Sequence, residues 1–126
     1  TDMAQSVWIP HTLPGMNDII RAAKKPSWSD ESYTKLKRLL LQELWLTIRA
    51  AKFVCPSRPI RVVFNWYEPD KQRDIDNIRA GAKFIMDALV QAKVISDDGW
   101  ACVVGMADTF SVDKDKPGVM VVLEEV

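Results

Sequence analysis

Tyr33, Leu36, Leu40, Leu44, Ile48 and Ala51 recur at steps of three or four residues, so one side of an α-helix carries a continuous apolar stripe. A helix patterned this way needs a second layer to cover the stripe. The chain supplies one directly. Pro56 and Pro59 end the helix, and Ile60 to Tyr67 then alternates. Ile60, Val62, Phe64 and Trp66 point one way, and Arg61, Val63, Asn65 and Tyr67 the other, as in a strand with a mixed outer face.

The remaining segments follow from local signals. Val7 to Ile9 reads as a short first strand stopped by Pro10, and His11 to Asp18 (HTLPGMND) has the composition of a loop. Ser27 and Ser29 are N-cap candidates for the first helix, with Asp30 and Glu31 suited to its positive end. A second helix is expected from about Asp76 to Lys93, a β-like stretch from Trp100 to Val112 and a last strand from Gly118 to Glu125. The turn DKDKPG between these two strands invites a hairpin. The expected fold is α+β: a small mixed sheet of about four strands with two main helices on one face, forming a single domain over residues 1–126.

Composition excludes several classes. With 48% hydrophobic and 27% charged residues, long-range disorder and fibrous repeats are not expected. No apolar run approaches the ~18 residues that span a bilayer. The start TDMAQSVWIP has neither the basic nor the apolar region of a secretion signal. Cys55 and Cys102 lack CxxC or CxxH spacing, which argues against a zinc site or disulfide framework and fits a reduced cytoplasm. The 17 basic and 17 acidic residues balance, yet residues 1–93 hold 15 basic against 10 acidic and residues 94–126 hold 2 against 7. One basic face for nucleic acid, or simply solvated helix faces, accounts for this equally well.

The chemistry is concentrated in RDIDNIRAGAKFIMDALVQAKVISDDGW (Arg73–Trp100). At about 100° per residue, Lys83 and Asp87 return to within roughly 20° of Asp76, while Ile78, Ile85, Leu89 and Ala92 fall on the opposite side. That places carboxylate, ammonium and carboxylate in a row on a polar face. A capped helix with a surface ion pair would account for as much, with Asp76 or Asn77 as the cap. The acids at both ends say more. Asp74 and Asp76 precede the helix, and Asp97 and Asp98 follow it. Four carboxylates in two pairs repel unless a cation lies between them, and oxygen donors without His or Cys select Mg²⁺ or Mn²⁺. An unbroken helix would hold the pairs roughly 25 Å apart, so they meet only if the chain after the helix runs back along it, or across a dimer.

RDIDN, Lys83, KFIMDAL and the Asp97–Asp98 pair together resemble the RusA family of Holliday junction resolvases. LPGMND more loosely resembles that family's N-terminal loop, and IRAGAKFIMDAL resembles a branch from phages and prophages of Gram-positive bacteria. The resemblance implies Asp74, Asp76 and Asp98 as ligands of a catalytic Mg²⁺, with Mn²⁺ a possible substitute, and Lys83 as the essential lysine. Asp97, Asp87 and Asn77 would support these, with Asp87 orienting Lys83. Asn17 would face substrate. It also implies a symmetric homodimer that resolves four-way DNA junctions in the cytoplasm of a bacterial or phage-infected cell. Lys24, Lys25, Lys71, Arg73 and Arg79 are the expected DNA contacts.

Two rival functions stand beside this one. A non-catalytic junction-binding protein would keep the basic face without needing the acids. Another Mg²⁺-dependent phosphoryl-transfer enzyme would keep the acids, but no Gly-rich phosphate loop is present, so no nucleotide cofactor is expected. The Asp113–Glu124 stretch imitates a calcium loop but places Pro117 at a ligand position and a strand where a helix belongs.

Overall fold

The computed structural model describes residues 4–126. Its elements are β1 (Ala4–Ile9), α1 (Met16–Ala23), α2 (Tyr33–Ala50), β2 (Ile60–Glu68), α3 (Ile75–Arg79), α4 (Ala82–Gln91), β3 (Val103–Val112) and β4 (Gly118–Glu125). The four strands form one mixed sheet in the order β1-β4-β2-β3. β2 runs parallel to β3 and antiparallel to β4, and β4 runs antiparallel to β1. This is the α+β architecture that the patterning predicts.

The alternation in β2 sets the core. Ile60, Val62 and Phe64 are fully buried and Trp66 is 2% exposed. They join Val7 and Ile9 of β1 and Val119, Val121 and Leu123 of β4. Leu40, Leu44 and Ile48 of α2 enter the same core, as do Phe84, Ile85 and Leu89 of α4. Each apolar side chain of this size contributes roughly 1.5–3 kcal/mol on burial, so the α2 stripe is satisfied by the sheet and α4 together. No helix is long and apolar enough to cross a membrane among the described residues.

Four local expectations are corrected. The expected loop from His11 to Asp18 ends early, because its last three residues open a helix, Met16–Ala23. Gly15 is its N-cap, and its N–H donates to Asp18 Oδ2 at 2.9 Å, so Pro14-Gly15 marks a helix start. The cap of α2 is Ser32, not Ser27 or Ser29. Its buried hydroxyl accepts from Lys35 N–H at 3.3 Å and donates to Ser27 O at 3.3 Å.

The second helix is not continuous. It begins at Ile75 and is interrupted at Ala80–Gly81, where Gly81 N–H bonds Ile78 O at 3.1 Å in a tightened turn. A Cβ at Gly81 would stand 2.9 Å from Leu13 Cβ, so the close approach of the β1–α1 connection requires glycine here.

β3 and β4 form no hairpin, because β2 lies between them. β4 has apolar residues to pair on both edges, whereas β3 carries Gly105, Asp108, Thr109 and Ser111 and takes the edge. A parallel β2–β3 pair needs a crossover, and α3 with α4 provides it.

Candidate active site

Lys83 and Asp87 form the i, i+4 pair that their spacing predicts, Nζ to Oδ1 at 3.1 Å. After α4 the chain turns at Lys93 (φ 62°) and is held by Val94 N–H to Leu89 O at 3.0 Å. Buried Ile95 then anchors the return. Asp98 thereby arrives 3.7 Å from Lys83 Nζ. Lys37 of α2 reaches the other oxygen of Asp87 at 3.3 Å. The result is an alternating row, Lys37–Asp87–Lys83–Asp98, across two helices and a turn. The hydrogen bond from Lys83 to Asp87, and then their opposite charges, raise the Lys83 pKa above its ordinary value.

The turn carrying Asp97 and Asp98 is tied down from beneath. Asp97 Oδ1 accepts Gly99 N–H at 2.7 Å, and Gly99 O accepts the N–H of Cys102 at 3.0 Å. Cys102 is buried, with Ser96 Oγ 3.0 Å from its sulfur. Arg58 donates to Ser96 Oγ at 2.8 Å and to Cys102 Sγ at 3.4 Å. The hydrogen bond with Ser96, then that from Arg58, draws the thiol pKa below its usual value.

Asp74 and Asp76 stand at the start of α3, where Asp74 is the N-cap residue. Both are exposed and line a cleft of about 640 Å³ whose apolar wall includes Ile75, Ile78, Phe110 and Val112. The two neighbouring arginines pair with other acids, although Arg73 lines the same cleft. Arg73 makes a two-pronged contact with buried Glu68 at 2.9 and 2.8 Å and donates to Leu13 O at 2.9 Å. Arg79 reaches Asp108 Oδ2 at 3.0 Å, and Asp108 Oδ1 accepts from Trp66 Nε1 at 2.7 Å. Among the described residues, Asp74 and Asp76 have no cationic partner within ion-pair distance.

Lys83, Asp87 and Asp98 are thus brought together, and Asp74 with Asp76 form a second group. Because the helix is interrupted, Asp76 does not join Lys83 and Asp87 in an ion-paired row. Among the described residues no three His, Cys, Asp or Glu side chains converge on one point. The donor chemistry still fits a hard cation. Mg²⁺ is commonly held by one or two carboxylates while keeping waters and phosphate oxygens, and Asp74 and Asp76 are two exposed carboxylates on one short segment, Asp76 Oδ1 also accepting Asn77 N–H at 2.9 Å.

The expected DNA contacts divide. Lys24 and Lys71 are exposed and unpaired among the described residues, whereas Lys25 pairs with Glu31 at 3.3 Å. Arg73 and Arg79 are engaged within the fold. Asn17 lies exposed in the first turn of α1, and its backbone N–H donates to Asn77 Oδ1 at 2.9 Å. This bond joins LPGMND to RDIDN. His11, the one histidine, has Nε2 2.9 Å from Glu43 Oε1, bringing the β1–α1 connection close to α2.

Sequence reading missed Glu68, Asp108, Lys37 and the Arg58–Ser96–Cys102 cluster. Glu68 was detectable, since the β2 alternation continued by one step places it on the buried face. The others depend on pairings between distant segments and carry no local signal. Compared with family models and with curated proteins, the chain matches none.

Proposed function

We propose that the chain is a Mg²⁺-dependent, structure-selective endodeoxyribonuclease that cuts four-way DNA junctions as a homodimer. The approach of Asp98 to Lys83 at 3.7 Å carries this reading, because it unites a residue from the start of α4 with one beyond its end at one exposed point. An ammonium there supplies a point charge to a phosphate in the transition state. Asp87 holds that ammonium in place, with its second oxygen paired to Lys37. Asp74 and Asp76 would hold Mg²⁺, which when bound neutralises phosphate charge and lowers the pKa of a water.

The deciding experiment is cleavage of a synthetic mobile four-way junction beside a linear duplex, with Mg²⁺ or with EDTA. Paired symmetric nicks on the junction alone, and only with metal, are expected. Tight junction binding without nicks would overturn the enzyme and leave a structural DNA-binding protein.

A further inference from the structure

The C-terminal ends of α2 and α4 meet at a separate cavity of about 470 Å³. Ile48, Phe53, Val54 and Val94 give it apolar walls, and Arg49, Lys52 and Lys93 stand at its rim. No acidic residue lines it. All three cations are exposed, and none has an acidic partner within ion-pair distance among the described residues.

The backbone adds an independent observation. Lys52 (φ 53°) and Lys93 (φ 62°) are the two non-glycine residues with left-handed backbone among the described residues. Each follows the end of a helix, a place where glycine is favoured because a Cβ is strained there. Both helices therefore end on a strained lysine, and both lysines face one cavity.

Charge arithmetic separates a cap from a binding site. Each helix C-terminus carries about half a negative charge, which one lysine more than offsets. Two such ends cancel about one of the three positive charges and leave a surplus of about two. Arg49 lies in the last turn of α2, and its guanidinium lies over the Trp45 ring, 5.5 Å from the centroid, so the surplus remains after both helix ends are counted.

We propose that Arg49, Lys52 and Lys93 form a phosphate-binding station for the backbone of a nucleic-acid arm, apart from the acid residues. This inference rests on the reading of DNA as substrate. The ten residues of α4 rise about 15 Å, the axial length of about four phosphates of one strand at ~3.4 Å each. A strand with a phosphate at Lys83 therefore reaches the cavity within one run along α4.

The test uses the full chain with Arg49→Gln, Lys52→Gly and Lys93→Gly combined, since glycine removes the cation and relieves the strained backbone. Binding of a fluorescein-labelled four-way junction is followed by anisotropy across a salt series. The expected result is at least tenfold weaker binding and a log–log salt slope shallower by about 0.9 for each phosphate no longer neutralised, with the melting temperature not reduced. Cleavage at saturating enzyme should persist in the Arg49→Gln, Lys52→Gly double variant, which leaves the Lys93 turn before Asp98, Lys83 and the acids untouched. Unchanged affinity and slope, in a wild type that binds and cuts, would overturn the station alone. A wild type that binds without cutting, beside a weakened variant, would overturn the nuclease and keep the station.

Discussion

Lys83 Nζ stands 3.7 Å from Asp98 Oδ2, although fifteen positions of sequence separate the two residues. The contact exists because the chain after α4 doubles back, with buried Ile95 seating the return and Gly99 O closing the turn. Lys83 itself is 63% exposed, so the pair contributes little to stability, on the order of 0–1 kcal/mol. Substitutions there should therefore separate function from folding. Lys83→Met and Asp98→Asn are expected to lower junction cleavage by at least a hundredfold while moving the melting temperature by no more than a few degrees. Single-turnover cleavage and thermal unfolding on the same preparations check both halves.

Asp76→Asn keeps shape and removes one charge from the exposed pair. Cleavage should be abolished and junction binding retained in a gel-shift assay. Substantial residual cleavage would sink the assignment of Asp76 as a metal ligand.

The pH dependence follows from the direction of the Lys83 shift. Hydrogen bonding to Asp87 raises its pKa above the ordinary 10.5, so the folded state holds the proton more tightly than the unfolded chain. Its stabilising contribution is complete below 10.5 and is lost as pH rises through the folded value. From neutral to mildly alkaline pH, the stability difference between wild type and Lys83→Met should stay constant. A decline in that difference near neutrality, seen by denaturant titration, would contradict the ion pair.

Arg73 separates two roles that the sequence could not. As a DNA contact its loss would weaken binding alone. Paired with Glu68, which is 6% exposed, its loss leaves a buried carboxylate without its partner. Arg73→Ala should cost about 3 kcal/mol of stability. Lys71→Ala, at an exposed and unpaired neighbour, should stay within about 0.5 kcal/mol. Urea denaturation compares them directly.

Gly15→Ala tests the junction between LPGMND and RDIDN. A Cβ there would lie 2.8 Å from Asn77 O and close on the Asn77 amide that receives Asn17 N–H. The clash should cost roughly 1–3 kcal/mol and shift α3 with its two carboxylates. A variant with full stability and full cleavage would show that this docking is dispensable.

Much of the fold was legible because its signals are periodic. The β2 alternation and the α2 stripe identified Phe64, Trp66, Leu44 and Ile48 as core, and Ile78, Ile85, Leu89 and Ala92 are buried as the helical projection required. Strand order was not legible. DKDKPG has the local chemistry of a hairpin, but whether β4 pairs with β3 or with β2 is decided by which edge best covers the core. At the site, Lys83 with Asp87 is a spacing effect and could be read, whereas Lys37 with Asp87 depends on how α2 lies on α4.

The interruption at Gly81 changes what sets the distance between the two acid pairs. Along an unbroken helix that distance would be a length, the same in every molecule and fixed by the number of residues. With two short segments meeting at a glycine it is set by the angle of that joint, which the tightened turn at Gly81 and the packing on Leu13 hold. The placement of Asp74 and Asp76 thus depends on how closely Gly81 seats against Leu13, a contact contributed by the β1–α1 connection and not by the helix itself.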